Sequence, residues 1–234
     1  MRKEEFISLL NKNNVVLSEK QTLQFEKYLY LLQEYNKVMN LTGITEEEEV
    51  YEKHFYDSLL FSFGESLNGL SIIDVGSGAG FPGVPLAIAY PTLKVTLLEP
   101  LAKRCKFLEI VKNELELTNV DIICQRAEDY SKKNVEKFDI ATARAVSKLN
   151  VLLEISSQMI KVNGYFIALK GKIAQEEIEQ AMNALKILNF KIEKNKEDSL
   201  PSEEDKRANI FIKKLGSTNK KYPRNYSQIK NRPL

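Results

Sequence analysis

The sequence predicts an α/β fold, a mostly parallel sheet flanked by helices and preceded by a helical segment. Three observations carry this expectation. From residue 70 onward short apolar runs alternate with amphipathic helical stretches. The first of those runs is followed at once by a glycine-rich turn. Residues 1–69 carry helical periodicity instead. With 234 residues, 43% hydrophobic and 28% charged, the chain suits one large domain or a domain with a small appendage.

In the helical segment, Phe6, Leu9 and Leu10 form a short apolar stripe. Ser18 with Gln21 has the spacing of a capping box and opens a long helix carrying Leu23, Tyr28, Leu31, Leu32 and Tyr35. Asn40-Leu41-Thr42-Gly43 breaks that helix. Thr45 with Glu48 predicts a second capping box, and the acids 46–49 fall in a first helical turn, where carboxylates meet the positive end of the helix dipole. A third helix through Val50, His54 and Phe61 ends in the glycines of 64–69.

Strands are expected at Ser71–Val75, Lys94–Glu99, Val120–Cys124, Phe138–Ala143, Gly164–Leu169, Phe190–Lys194 and Ala208–Lys214. Helices are expected after the glycine turn to Ala89, and over Leu101–Leu115, Leu149–Ile160 and Glu176–Leu188. Open parallel sheets bind ligands beyond the carboxyl ends of their strands, so the site is expected at the turns after residues 75, 99, 124 and 143.

Several classes are excluded by composition. No apolar run approaches the ~18–20 residues of a membrane helix, and the N-terminus reads as no secretory signal. Cys105 and Cys124 form no CxxC pair, which points to a reducing, cytoplasmic setting. A single histidine and two scattered cysteines predict no metal site. Residues 213–234 hold seven basic side chains and no acid, while the other 212 residues hold 27 basic and 32 acidic ones. An acidic body with a basic tail suits either a polyanionic partner or a solvated terminus.

The strongest motif is Asp74-Val-Gly76-Ser-Gly78-Ala-Gly80-Phe-Pro-Gly83, four glycines in eight residues between a strand and a helix. Glycines allow the sharp turn and the close approach of a ligand to backbone. No Walker loop is present. Gly78, Gly80 and Gly83 satisfy the dinucleotide fingerprint, with Glu99 placed to bind a ribose, so an NAD(P)-dependent oxidoreductase is one reading. The order acid-x-Gly-x-Gly-x-Gly, led by Asp74, equally resembles the first motif of S-adenosylmethionine-dependent methyltransferases, with Glu128 or Asp129 marking the adenine.

Longer strings separate these readings. Asn40-Leu41-Thr42, the stretch from His54 to Leu59, the glycine turn, Glu99 to Arg104, Arg126-Ala127-Glu128, Arg144-Ala145-Val146, Leu169-Lys170-Gly171 and Lys221-Tyr222-Pro223-Arg224 follow in order over nearly the whole chain. This set resembles the bacterial 16S ribosomal RNA guanine-N7 methyltransferase family, also called glucose-inhibited division protein B. The resemblance implies a class I S-adenosylmethionine-dependent methyltransferase fold, Rossmann-like with a mostly parallel seven-stranded sheet. It implies an N-terminal helical extension (1–69), a methyltransferase domain (70–215) and a basic C-terminal tail (216–234). It further implies S-adenosyl-L-methionine as cofactor, 16S ribosomal RNA or the small ribosomal subunit as partner, a monomer, and methylation of a guanine in the decoding region.

By the same resemblance, Gly76, Phe81, Ala127, Glu128 and Arg144 match cofactor-contacting positions. Asp74, Gly78 and Glu99 join them from the general methyltransferase pattern. Read without the family, Glu128 also suits a helix-start acid, and Arg144 a partner for a nearby carboxylate. His54 and Asp57, three apart on one helix face, read as anchors of the extension on the sheet. Lys103 and Arg104 suit either a solvated helix face or a phosphate. Lys170, Lys220, Lys221 and Arg224 are the expected RNA contacts, and no catalytic base is assigned. A non-catalytic RNA-binding or ribosome-assembly protein is the remaining alternative.

Overall fold

A computed structural model describes residues 1–144, 147–171, 175–202 and 206–234. Helices α1 (Lys3–Lys12) and α2 (Glu19–Met39) open the chain. The Ser18–Gln21 capping box forms, satisfying two otherwise orphaned donors at the start of α2. The one expected at Thr45 does not: Glu46 caps the next stretch without a side-chain hydrogen bond. That stretch is α3 (Glu47–Glu49), a π-helical segment (Val50–Tyr56), α4 (Asp57–Leu59) and a 3-10 turn (Leu60–Ser62). Wide π turns often occur at functional sites, and this one carries His54.

The sheet then begins: β1 (Ser71–Val75), α5 (Gly83–Ala89), β2 (Lys94–Leu98), α6 (Ala102–Glu114), β3 (Val120–Ile123), α7 (Ala127–Lys133), β4 (Phe138–Arg144), α8 (Leu149–Ser156), β5 (Ile160–Lys170), α9 (Gln175–Ile187), β6 (Phe190–Ser199), β7 (Lys206–Lys214) and α10 (Tyr226–Asn231). Its strand order is β3-β2-β1-β4-β5-β7-β6. Both pairings of β7 are antiparallel, and the others are parallel. The seven expected strands are all present. The helix expected to reach Ile160 stops at Ser156, because Ile160 already pairs with Phe138 in the sheet. Gly164 sits at that irregular join, where a Cβ would lie 2.6 Å from the Asp139 carbonyl.

Two apolar clusters cover the sheet. In one, Phe6, Phe25, Tyr28 and Phe55 of the N-terminal helices pack with Ile72, Val95 and Leu97 of the strands. The helical extension thus shares a core with the sheet. In the other, α8 and α9 pack on Ile73, Ala141 and Phe166, and Tyr222 and Ile229 of the C-terminal segment join them. That segment is docked and ends in a helix whose capping box is Asn225 and Gln228. Among the described residues no helix is long and apolar enough to cross a membrane.

Candidate active site

The carboxyl ends of β1, β2 and β4 converge on a cavity of about 670 Å³ lined by the glycine turn, Glu99, Arg126, Arg144 and, from the N-terminal segment, Thr42 and His54. The turn takes its shape from glycines at 76, 78 and 80, with φ of 71°, 60° and 105°. A Cβ on Gly80 would lie 2.6 Å from Val84 and 2.8 Å from the Tyr28 hydroxyl. Tyr28 in turn donates to the Ala79 carbonyl at 2.7 Å. The loop is therefore clamped from α2, far away in sequence.

Glu99 is buried just past β2. Its two oxygens accept from the backbone N–H groups of Gly78 (2.9 Å) and Leu101 (3.0 Å), so one carboxylate ties the glycine turn to the start of α6. Each oxygen keeps a lone pair for ribose hydroxyls. Asp74 does not line the cavity. It lies beneath the turn, fully buried, accepting from the Gly83 N–H at 2.8 Å. Burial pushes its carboxyl up to about 7, against the opposing hydrogen bond from Gly83.

His54 is held on every side. Its ring stacks on Phe81 at 4.4 Å between centroids. Arg144 approaches Nδ1 at 3.2 Å, and the Thr42 hydroxyl lies 2.7 Å from Nε2. The Lys53 carbonyl also lies 3.2 Å from Nδ1, so a donor and an acceptor converge on that nitrogen. Burial, reinforced by the Arg144 charge, pushes the imidazole down to about 3. Arg144 also donates to the Lys53 carbonyl at 2.9 Å and to Asp57 at 3.1 Å. Arg207 meets the other oxygen of Asp57 at 3.2 Å. Thus Arg144 has the carboxylate partner and also lines the cavity, and His54 and Asp57 do anchor the extension to the sheet.

A second cavity, of about 430 Å³, adjoins the first through His54 and Arg144, and contains Asp57, Leu169, Lys170, Arg207 and Asn209. The structure therefore brings Gly76, Gly78, Phe81, Glu99 and Arg144 together in the first cavity, with Lys170 in the second. Ala127 and Glu128 start α7 beside Arg126, but of the three only Arg126 lines the cavity; Glu128 lies 3.8 Å from the Arg126 guanidinium. Lys170 is paired with Glu177 at 2.6 Å. The tail contacts lie elsewhere. Because β7 is antiparallel, the chain leaves it at the edge opposite the glycine turn, where Gln158 holds the carbonyls of Thr218, Asn219 and Tyr222. Lys220 and Lys221 are exposed at that far edge. Arg224, expected as an RNA contact, has its guanidinium on the fully buried Glu154, at 2.8 and 2.6 Å.

Residues that sequence reasoning passed over are Tyr28, Thr42, Ser77, Arg126, Arg207 and Asn209. Ser77 was legible, lying within the glycine turn. Thr42 and Arg126 lie within strings that carry the family resemblance, whereas Tyr28, Arg207 and Asn209 are brought in from distant segments.

The residues fit a nucleoside cofactor with an amino-acid arm. The Ser77 hydroxyl is buried without a partner among the described residues. A Cβ on Gly78 would meet nothing closer than 3.9 Å, so its missing side chain leaves open space in the cavity. Together, this sheet order and the glycine–acid cavity define a class I methyltransferase fold, which differs from dinucleotide-binding sheets by its antiparallel β7. Solved structures agree on the fold. The [4+2]-cyclase SpnF matches with a TM-score of 0.58 at 15% identity, covering 86% of this chain and 98% of its own. A SAM dependent methyltransferase from Aquifex aeolicus matches with a TM-score of 0.52 at 17% identity, covering 70% and 92%. The family model described as rRNA small subunit methyltransferase G (GidB) matches residues 21–210, and the chain belongs to that family. The ribosomal RNA small subunit methyltransferase G of Lactobacillus acidophilus is 47% identical over the full length of both chains.

Proposed function

We infer that this protein transfers a methyl group from S-adenosyl-L-methionine to RNA of the small ribosomal subunit, and that the acceptor is N7 of a guanine. Family membership supports the reaction and the substrate class. The observation that carries the site is Glu99, which binds the Gly78 and Leu101 N–H groups and fronts the cavity beside the glycine turn. Glu99 would hold the ribose, with the glycine turn and Ser77 around the methionine arm and Ala127 and Glu128 toward the adenine. When bound, the cofactor would supply a methyl carbon on a cationic sulfur, an electrophile that the lone pair of a ring N7 could take without losing a proton. The chain's own residues suit such base-free chemistry. His54, its one histidine, has both ring nitrogens committed, and Asp74 lies under the loop. Positioning and exclusion of water then carry the rate, as aligned reactants can supply roughly 7–11 kcal/mol. Lys220 and Lys221, on the far edge, would contact phosphate without reading sequence.

The test is transfer of labelled methyl to small subunits from a strain lacking this protein, followed by nucleoside mass analysis. The expected product is 7-methylguanosine. A label on any other nucleoside, or none, overturns the reading.

A further inference from the structure

We propose that Asn209 is a specificity-determining residue that reads the acceptor base in the second cavity by donating a hydrogen bond to a ring carbonyl, the O6 of guanine. The inference rests on the RNA methyl-transfer reading and deepens it. Asn209 is 3% exposed, lines the cavity beside the first one, and its side-chain nitrogen Nδ2 has no partner among the described residues. Leaving a buried amide donor unpaired is costly, so a ligand acceptor is the natural complement.

The neighbouring donors are already engaged. Arg144 is held by Asp57 and the Lys53 carbonyl, Arg207 pairs with Asp57, and Lys170 with Glu177 and the Ser147 carbonyl. Asn209 stands opposite Leu169 in the β5–β7 ladder, at the edge where β4 and β5 end. Beside N7, guanine presents the acceptor O6, whereas adenine presents the donor N6 amino group. An amide N–H at this point therefore accepts guanine and opposes adenine. It supplies discrimination without acting on the methyl group.

The experiment uses the full chain and unmodified small subunits, either native or reconstituted with 2-aminopurine, which keeps N7 but lacks O6, at the methylated guanine. Asn209→Leu is expected to lower kcat/KM on native subunits roughly ten- to a hundredfold, the worth of a good base contact. Its affinity for S-adenosylhomocysteine, measured by calorimetry, should be unchanged. Removing O6 should slow the wild type by a similar factor and slow Asn209→Leu little further. Asn209→Ala should behave as leucine does, and replaces it in the comparison if leucine disturbs the sheet. A wild-type rate in either folded variant overturns the proposal, as does an equal loss from removing O6 in variant and wild type. Failure of the wild type to methylate native subunits would instead overturn the reaction itself.

Discussion

Arg144, the last residue of β4, sets a guanidinium nitrogen 3.2 Å from Nδ1 of His54 across a separation of 90 residues. This contact joins the helical extension to the ligand edge of the sheet. Through His54 it also sets the ring that stacks on Phe81 of the glycine turn.

His54 should stay neutral throughout the ordinary pH range. Because the chain has one histidine, its NMR signal is unambiguous and should not titrate down to pH of about 4.5, given a value of about 3. The folded value lies below the unfolded one of about 6.5, so the unfolded chain binds the proton first and stability falls as pH drops from about 6.5 toward 3. In urea melts, His54→Gln should therefore lose less stability than the wild type between pH of about 7 and about 5. Buried Asp74 acts with the opposite sign, since its raised value takes stability away as pH rises toward 7. It is common to both proteins and cancels in the comparison.

Glu99→Ala removes the acceptor for two loop N–H groups and the expected ribose contact. Hydrogen bonds to a charged group contribute about 1.5–3 kcal/mol each. Calorimetry with S-adenosylhomocysteine should show affinity reduced by at least about tenfold. Unchanged affinity would remove Glu99 from the site.

Two glycines of the turn should fail differently. On Gly83 a Cβ would lie 2.2 Å from Leu97 and 3.0 Å from Asp74, so Gly83→Ala should cost about 1–3 kcal/mol of stability in denaturant melts. On Gly78, at φ 60°, the methyl group projects into open cavity. Gly78→Ala should cost about 1 kcal/mol and register mainly as weakened cofactor binding.

The C-terminal segment should act as a structural strap. Arg224→Ala leaves Glu154 buried without its charge partner, and breaking such a pair costs about 3 kcal/mol. Chemical denaturation should show this loss. Replacing Lys220 and Lys221 by Ala should leave stability nearly unchanged and reduce the salt dependence of subunit binding. The same salt slope as the wild type would remove them as phosphate contacts.

The strand–helix alternation, the glycine turn and Glu99 could be read directly along the chain. Each follows from local rules, namely side-chain periodicity, the turn geometry that glycine permits, and a fixed spacing between a loop and the next strand end. The Ser18 cap was equally legible, whereas the Thr45 spacing misled: Glu46 stands at that helix start without a side-chain hydrogen bond. No periodicity announces that Tyr28 braces Ala79, that Arg144 reaches back to His54 and Asp57, or that Asn209 faces a second cavity. These depend on which faces meet when the extension folds over the sheet. The tail shows the same division. Its charge was visible as a count, but Glu154 and Gln158, on and just after α8, bring Arg224 and Tyr222 onto the protein body. Long-range burial chooses such partners, because a buried charge or carbonyl must find one wherever the fold brings it.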